Sequence, residues 1–442
     1  MTPPDPQLSP ITRFYQVCEP SEPVSPSDPR WVDFDAVRGD DNVVALYARS
    51  IRRADSSRPD FKLFAGHRGV GKTSELLRLK AMLEQPDNNR KGFIVVFCDV
   101  SDSLDVNDLD FPDLLVYIAG ELQKQLGDRQ LPGFSKVTTY LKKVWDEIQG
   151  LLSTQISLSG VEVEVGFSKL TTEFRNRPNA RRQLREAVEQ NSTSLLDAVN
   201  DLLRSAQVAA LNTGYVGVVL IVDGLDKLVR RHLNDGATNT HDRLFIDRSE
   251  QLASLSVTTV YTVPISLIYS SRFGQLEQIF GEYHAPISMI RVRKSRDEPV
   301  SVESPGMIKL REMVEKRAQF AGITLGQAFD NENTLHYLCQ VSGGHPRHLL
   351  MLLQSACNEL DRLPITGSSA KKAVKKYANA LTREVPDAAW EPLKAFKEPQ
   401  RDMLKDEIHQ QMLFLLFVFE YMNGTLWYEV NPVFHTIERF RS

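Results

Sequence analysis

Cysteine is scarce in this 442-residue chain and widely scattered: Cys18, Cys98, Cys339 and Cys357. No C-x-x-C pair occurs, which argues against a disulfide framework or a thiolate metal site and for reduced thiols in a cytoplasmic protein. Long apolar runs are also missing. The longest, Met412 to Phe419, falls far short of the ~20 residues that a membrane-spanning helix needs. The opening residues Met1 to Pro10 are proline-rich and polar, unlike a signal peptide. Nor is there a surplus of one charge: 53 Lys and Arg stand against 57 Asp and Glu, a net charge of −4. That balance gives no global pull toward nucleic acid or an anionic membrane, although a local basic patch could act alone. With 42% hydrophobic and 25% charged residues, the composition is that of a globular chain long enough for two or three domains.

The one complete motif is Gly66-His67-Arg68-Gly69-Val70-Gly71-Lys72-Thr73, followed by Ser74. It matches G-x-x-x-x-G-K-[ST], the phosphate-binding loop. An apolar run (Phe61, Leu63, Phe64, Ala65) precedes it, and Leu76, Leu79 and Leu83 follow at helical spacing, so the glycines sit in a strand-to-helix turn. There the helix dipole and the free N–H groups favour an anion. Lys72 is expected to reach the β- and γ-phosphates of ATP, and Thr73 to ligate Mg²⁺.

Residues 1–30 hold eight of the 23 prolines and read as an arm that is not helical. A helix is expected from Asn42 to Ile51, and buried strands at Phe93–Asp99 and Val216–Val222. Helices are expected around Leu114–Leu126, over 137–152 and over 194–210. Residues 156–165 alternate strictly about Gly160, as an inserted hairpin would. The order strand, helix, strand, helix, strand predicts an α/β fold: a parallel sheet with helices on both faces over 31–299. A helical lid is expected over 300–395. A winged-helix-like segment follows over 396–442, with a hairpin about Asn423-Gly424 between Met412–Phe419 and Thr425–Val430.

The run Val218 to Val222 ends in Asp223-Gly224-Leu225-Asp226. A central strand would thus deliver Asp223 to the ligand-binding edge of the sheet, as a Mg²⁺ ligand. Asp226 reads equally as the base that orients water or as a helix N-cap. Gly224 occupies the position where many hydrolysing ATPases carry an acid.

With its Asp-Gly-Leu-Asp ending, the chain resembles the signal-transducing STAND ATPases, a branch close to AAA+ and the origin-recognition ATPases. The resemblance covers about residues 35 to 395. It implies that Arg38, in Val37-Arg38-Gly39-Asp40, lies beside the adenine, though the group usually has glycine before the arginine. Gly343-Gly344-His345-Pro346-Arg347 is similar to the lid G-x-P motif, with Pro346 at the site and Arg347 as a sensor arginine; a solvated helix-start arginine remains the alternative. A further sensor is implied at the end of the strand after Asp223. Either Val257–Val263 supplies Thr262, or Ile265–Ser271 supplies Arg272. His345 has no spacing for a metal and reads as a turn residue.

Three basic clusters read either as solvated faces, the usual reading of such a run, or as surfaces that could meet a partner: Arg175, Arg177, Arg181, Arg182 and Arg185; Arg230, Arg231 and His232; Arg291, Arg293, Lys294 and Arg296. None carries the interleaved aromatics that stack bases. The expected function is an ATP/ADP switch with slow hydrolysis that engages a protein partner or effector, with homo-oligomerisation on activation and no membrane. The resemblance also implies a role in bacterial signalling or defence. A DNA-binding, origin-recognition-like ATPase is the second expectation.

Overall fold

The computed structural model describes residues 2–39, 42–54, 58–86, 90–127, 194–232, 239–281, 286–295, 297–397 and 402–442, with 142, 143, 146, 181, 182, 185 and 186. Apart from 142, 143 and 146, the helix expected over 137–152 lies outside these residues, as do the inserted hairpin, Arg175, Arg177 and Arg296.

The first element corrects an expectation. Helix α1 (Pro10–Val17) stands inside the proline-rich arm, with Ser9 as its N-cap and Pro10 at its first position. Proline lacks only an N–H that has no intrahelical partner there, so it starts a helix without cost. Phe14 and Val17 are buried.

Helix α2 (Val43–Arg53) precedes β1 (Phe61–Gly66), α3 (Lys72–Glu84), β2 (Ile94–Asp99), α4 (Phe111–Gly127), α5 (Ser194–Asn212), β3 (Val218–Asp223) and β4 (Thr258–Pro264). The four strands are parallel, in the order β1-β4-β3-β2. Their apolar runs are continuous because both faces are covered. Along β3, Val218, Leu220 and Val222 enter one core with α4 and α5, whereas Val219 and Ile221 enter a second with α2 and α3. A single parallel bridge from Gly66 to Ile287 continues the sheet beyond β1.

The chain then turns helical, with α6 (Pro305–Phe320), α7 (Glu332–Val341), α8 (Pro346–Cys357) and α9 (Gly367–Glu384). Their core takes in Phe14 and Val17 of the arm, so the N-terminus packs on the lid helices. Helix α10 (Glu407–Phe414) leads into the antiparallel pair β5 (Val418–Asn423) and β6 (Thr425–Val430). The turn at Gly424 is as expected, but the first strand begins only at Val418, because Met412–Phe414 close α10. Phe419, Tyr421 and Trp427 join the sheet-side core, while Val418, Tyr428 and Val430 join the lid core. Burial on both faces explains why this stretch is so uniformly apolar. No helix among the described residues is long and apolar enough to cross a membrane.

Candidate functional site

The C-terminal ends of β1 and β3 bring the sequence-predicted residues together. Gly71 caps α3 in a left-handed conformation, φ 106°, and offers no side-chain acceptor, so the first N–H groups of the helix keep their donors. Lys72 is buried. Its Nζ donates to the carbonyls of Gly66 and His67, both at 2.8 Å, and pairs with Asp226 Oδ2 at 2.8 Å. Thr73 Oγ1 donates to Asp223 Oδ2 at 2.6 Å. Burial, followed by the neighbouring Asp226 carboxylate, pushes Asp223 up to about 6. A hydroxyl and a carboxylate in contact form the hard-oxygen set that suits Mg²⁺, so the residues fit that ion.

Asp226 lies inside the 3₁₀ turn Leu225–Lys227 rather than at its cap, which is Gly224, so the N-cap alternative does not hold. Gly224 has φ +87°, and a Cβ there would sit 2.9 Å from Asp99 Oδ1 and 3.0 Å from the Ser101 nitrogen. Any side chain at this position, an acid included, would be strained and crowded.

The two sensor placements fall in different elements, and neither Thr262 nor Arg272 lines the cleft beside the phosphate loop. Thr262 lies in β4, buried, and its hydroxyl accepts from the Leu225 N–H at 3.1 Å. The alternative strand Ile265–Ser271 is instead a short helix, Ile265–Ile268. Arg272 follows it, half-exposed and bonded to Asp247 at 3.0 Å, and the structure does not bring it to the cleft.

That cleft holds about 890 Å³ of empty space, the open solvent at its mouth included. Arg68 to Glu75 form its floor, with Asp226 and Lys227 beside them. Arg38 donates to the Val70 carbonyl at 2.6 Å and pairs with Glu75 at 3.2 Å, so it braces the loop. Pro346 and Arg347 enter from the start of α8, and Arg347 Nε donates to the Pro20 carbonyl at 3.2 Å. Burial lowers the Arg347 pKa, and the Arg68 charge adds to this.

Sequence reasoning missed one whole wall. Pro20 to Val24 and Arg30 to Val32 of the arm line the cleft, with Met313, Arg317 and Leu350 of the lid. The Val24 N–H donates to Ser74 Oγ at 3.0 Å, and Arg30 is held by Glu22 and Asp28, both at 2.7 Å. The proline-free stretch Ile11 to Glu19 was the available signal for the arm's helix. No signal in the sequence placed the arm on the lid.

No protein-family model matches this chain, and no curated protein matches it in sequence. Among solved structures it is similar to Cdc6p from Pyrobaculum aerophilum, at 12% identity and TM-score 0.37, over 90% of this chain and 91% of that one. It is likewise similar to the Aeropyrum pernix ORC2 protein, solved as ADPNP–ADP complexes, at 13% identity and TM-score 0.38, over 90% and 91%. Overlap this loose carries no chemistry, which the residues of the cleft alone supply.

Proposed function

We propose that this chain binds a nucleoside triphosphate with Mg²⁺, hydrolyses it slowly and acts as a nucleotide-dependent switch of the STAND or AAA+ type. One observation carries the reading: the phosphate loop from Arg68 to Thr73, Asp226 after β3, the lid residue Arg347 and the N-terminal arm all line a single cleft, with Asp223 reaching it through its bond to Thr73. A ligand there touches the phosphate loop, the arm and the lid at once, so its differential contacts can shift a conformational balance.

The loop N–H groups and Lys72 bind phosphate oxygens, and Lys72 exchanges its carbonyl partners for them. Thr73 and Asp223 would hold Mg²⁺, which would supply neutralising charge to the bound phosphates. Asp226, released from Lys72, orients water and accepts its proton. Thr262 fixes the turn that carries Asp226 by accepting from Leu225. Turnover is slow because Gly224 leaves no room for a second acid. Arg347 joins the lid to the phosphates, and closure of the lid presents a surface to a protein partner or a second copy of the chain.

Titration with ATP, with and without Mg²⁺, and limited proteolysis test this reading. The expected result is Mg²⁺-enhanced binding with protection or exposure of sites around residues 300–345. Absence of binding, or a protease pattern indifferent to nucleotide, would overturn it.

A further inference from the structure

Two histidines hold the phosphate loop from outside the cleft. His67 belongs to the loop, but its buried ring points to the C-terminal segment. Its Nδ1 donates to the Leu413 carbonyl at 3.2 Å, and its Nε2 accepts the Glu420 N–H at 2.9 Å. His345 precedes α8. Its Nε2 donates to the Arg68 carbonyl at 2.8 Å, and its Nδ1 accepts the His348 N–H at 3.1 Å, capping the helix. These partners assign opposite neutral tautomers, Nδ1–H on His67 and Nε2–H on His345. The rings are locked further by packing. His345 stacks on His348 at 3.9 Å and on Phe419 at 5.7 Å, and His67 meets Phe419 edge-on at 6.0 Å. At Gly69 a Cβ would come within 2.8 Å of His345 Cε1, so the loop lies directly against that ring.

We propose that His67 and His345 are positioning residues that fix the backbone of the phosphate loop over Gly66–Gly69 and so set the aim of its N–H groups. The proposal rests on the nucleotide reading above. A glycine-rich loop is costly to order, and ordering it before the ligand arrives removes that cost from binding. Neutral rings suit the task. They supply one donor and one acceptor each and add no charge that would compete with Lys72 for phosphate. Burial keeps them neutral, holding His67 down to about 3 and His345 well below its ordinary value. Through His67 the loop is bonded to α10 and β5, and through His345 to α8.

His345→Asn tests the idea, because asparagine is a strong N-cap but too short to reach Arg68. The expected result is a melting temperature near that of the parent, faster amide hydrogen exchange over residues 66–71 in the nucleotide-free protein, and roughly fivefold weaker ATP binding. His67→Gln keeps one donor and one acceptor on a longer, freer side chain, and should fall between the parent and His67→Leu in loop exchange and ATP affinity. His67→Leu keeps neither and should lose about tenfold. Should His67→Leu not fold, His345→Asn against the parent decides alone. Loop exchange and ATP affinity unchanged in His345→Asn would overturn the proposal. ATP titration of the parent tests the nucleotide reading separately, since the exchange measurement needs no ligand.

Discussion

Two charge clusters in this protein have opposite economies. In the first, Asp105, Asp108, Asp110 and Asp113 meet Arg181, Arg185, Arg243 and Arg248. Arg181 is buried and lies 3.2 Å from Asp105, and Arg185 reaches Asp108 at 2.7 Å and also Asp113. The arginine run that reads as a solvated helix face, or alternatively as a docking face, is at these two positions consumed inside the chain. The second basic cluster behaves likewise, since Arg230 and His232 both reach Glu407. The cleft differs. Lys72 has Asp226, but Arg68, Lys227 and Arg347 line the same cleft with no ion-pair partner among the described residues. Charge that cancels internally holds a fold together; charge left over in a cavity calls for an anion from outside.

The largest expected effect breaks the first cluster. Arg185→Ala leaves Asp113 buried without its cation, and breaking such a pair costs about 3 kcal/mol. Burial already pushes Asp113 up to about 6 despite Arg185. Urea unfolding should show the loss, with ATP affinity of the folded fraction unchanged. The second effect breaks the cleft. Lys72→Ala should weaken ATP binding roughly fiftyfold, about 2.3 kcal/mol, by calorimetric titration. It also strands Asp226, so some stability is lost. Lys72→Ala with Asp226→Asn should restore the stability but not the binding. Recovery of both together would erase the distinction between the two clusters.

Much of this was legible because parallel strands covered on both faces write themselves as unbroken apolar runs. Phe61–Ala65 and Val218–Val222 could hardly be anything else, and the glycine-lysine loop between strand and helix followed from them. What stayed hidden came from long-range contacts. His345 lies 277 positions from Arg68, and nothing in its own neighbourhood betrays the bond between them. The arm was misread because a proline count over thirty residues conceals where the prolines fall. Ile265–Ser271 was ambiguous because a short apolar run has no resolvable period. The Lys72–Asp226 pair needed the 3₁₀ turn after Gly224, whose left-handed backbone no pattern announces.

Glu420 sharpens the comparison as a buried acid with neither kind of answer. Its partners are the Tyr269 hydroxyl, itself 2.6 Å from Tyr428, and Oε1 has no partner among the described residues. Burial pushes it up to about 7. A raised folded pKa means that the protonated form is favoured in the fold. Its contribution is fully present below about 4.5 and is lost as pH rises through about 7. Glu420→Gln should therefore gain stability over the parent by up to about 3 kcal/mol at pH 8 and show little difference near pH 4.5. Buried His67 and His348 titrate in the opposite sense, so the parent-minus-variant difference is the quantity to measure. A gain independent of pH would show that Glu420 is ionised in the fold.

The smallest expected effect concerns Arg182, which points outward where Arg181 points in. Its side chain is 70% exposed and faces Glu186 at 3.6 Å. An exposed pair of this kind contributes little, so Arg182→Glu should change stability by no more than about 0.5 kcal/mol. The same residue measures whether the run meets nucleic acid. Each cation that neutralises a phosphate steepens the log–log salt dependence of duplex binding by about 0.9. With Arg181 and Arg185 held by aspartates, Arg182 is the member of the described run left to contribute. Reversing its charge should therefore flatten the slope by no more than roughly one unit, on an association that is already weak. Filter binding or fluorescence anisotropy from low to physiological salt reads this directly. Tight duplex binding at physiological salt, with a parent slope of several units, would mean that the arginines leave their aspartates for phosphate. The first cluster would then be a nucleic-acid surface closed on itself, and the DNA-binding reading would replace the switch.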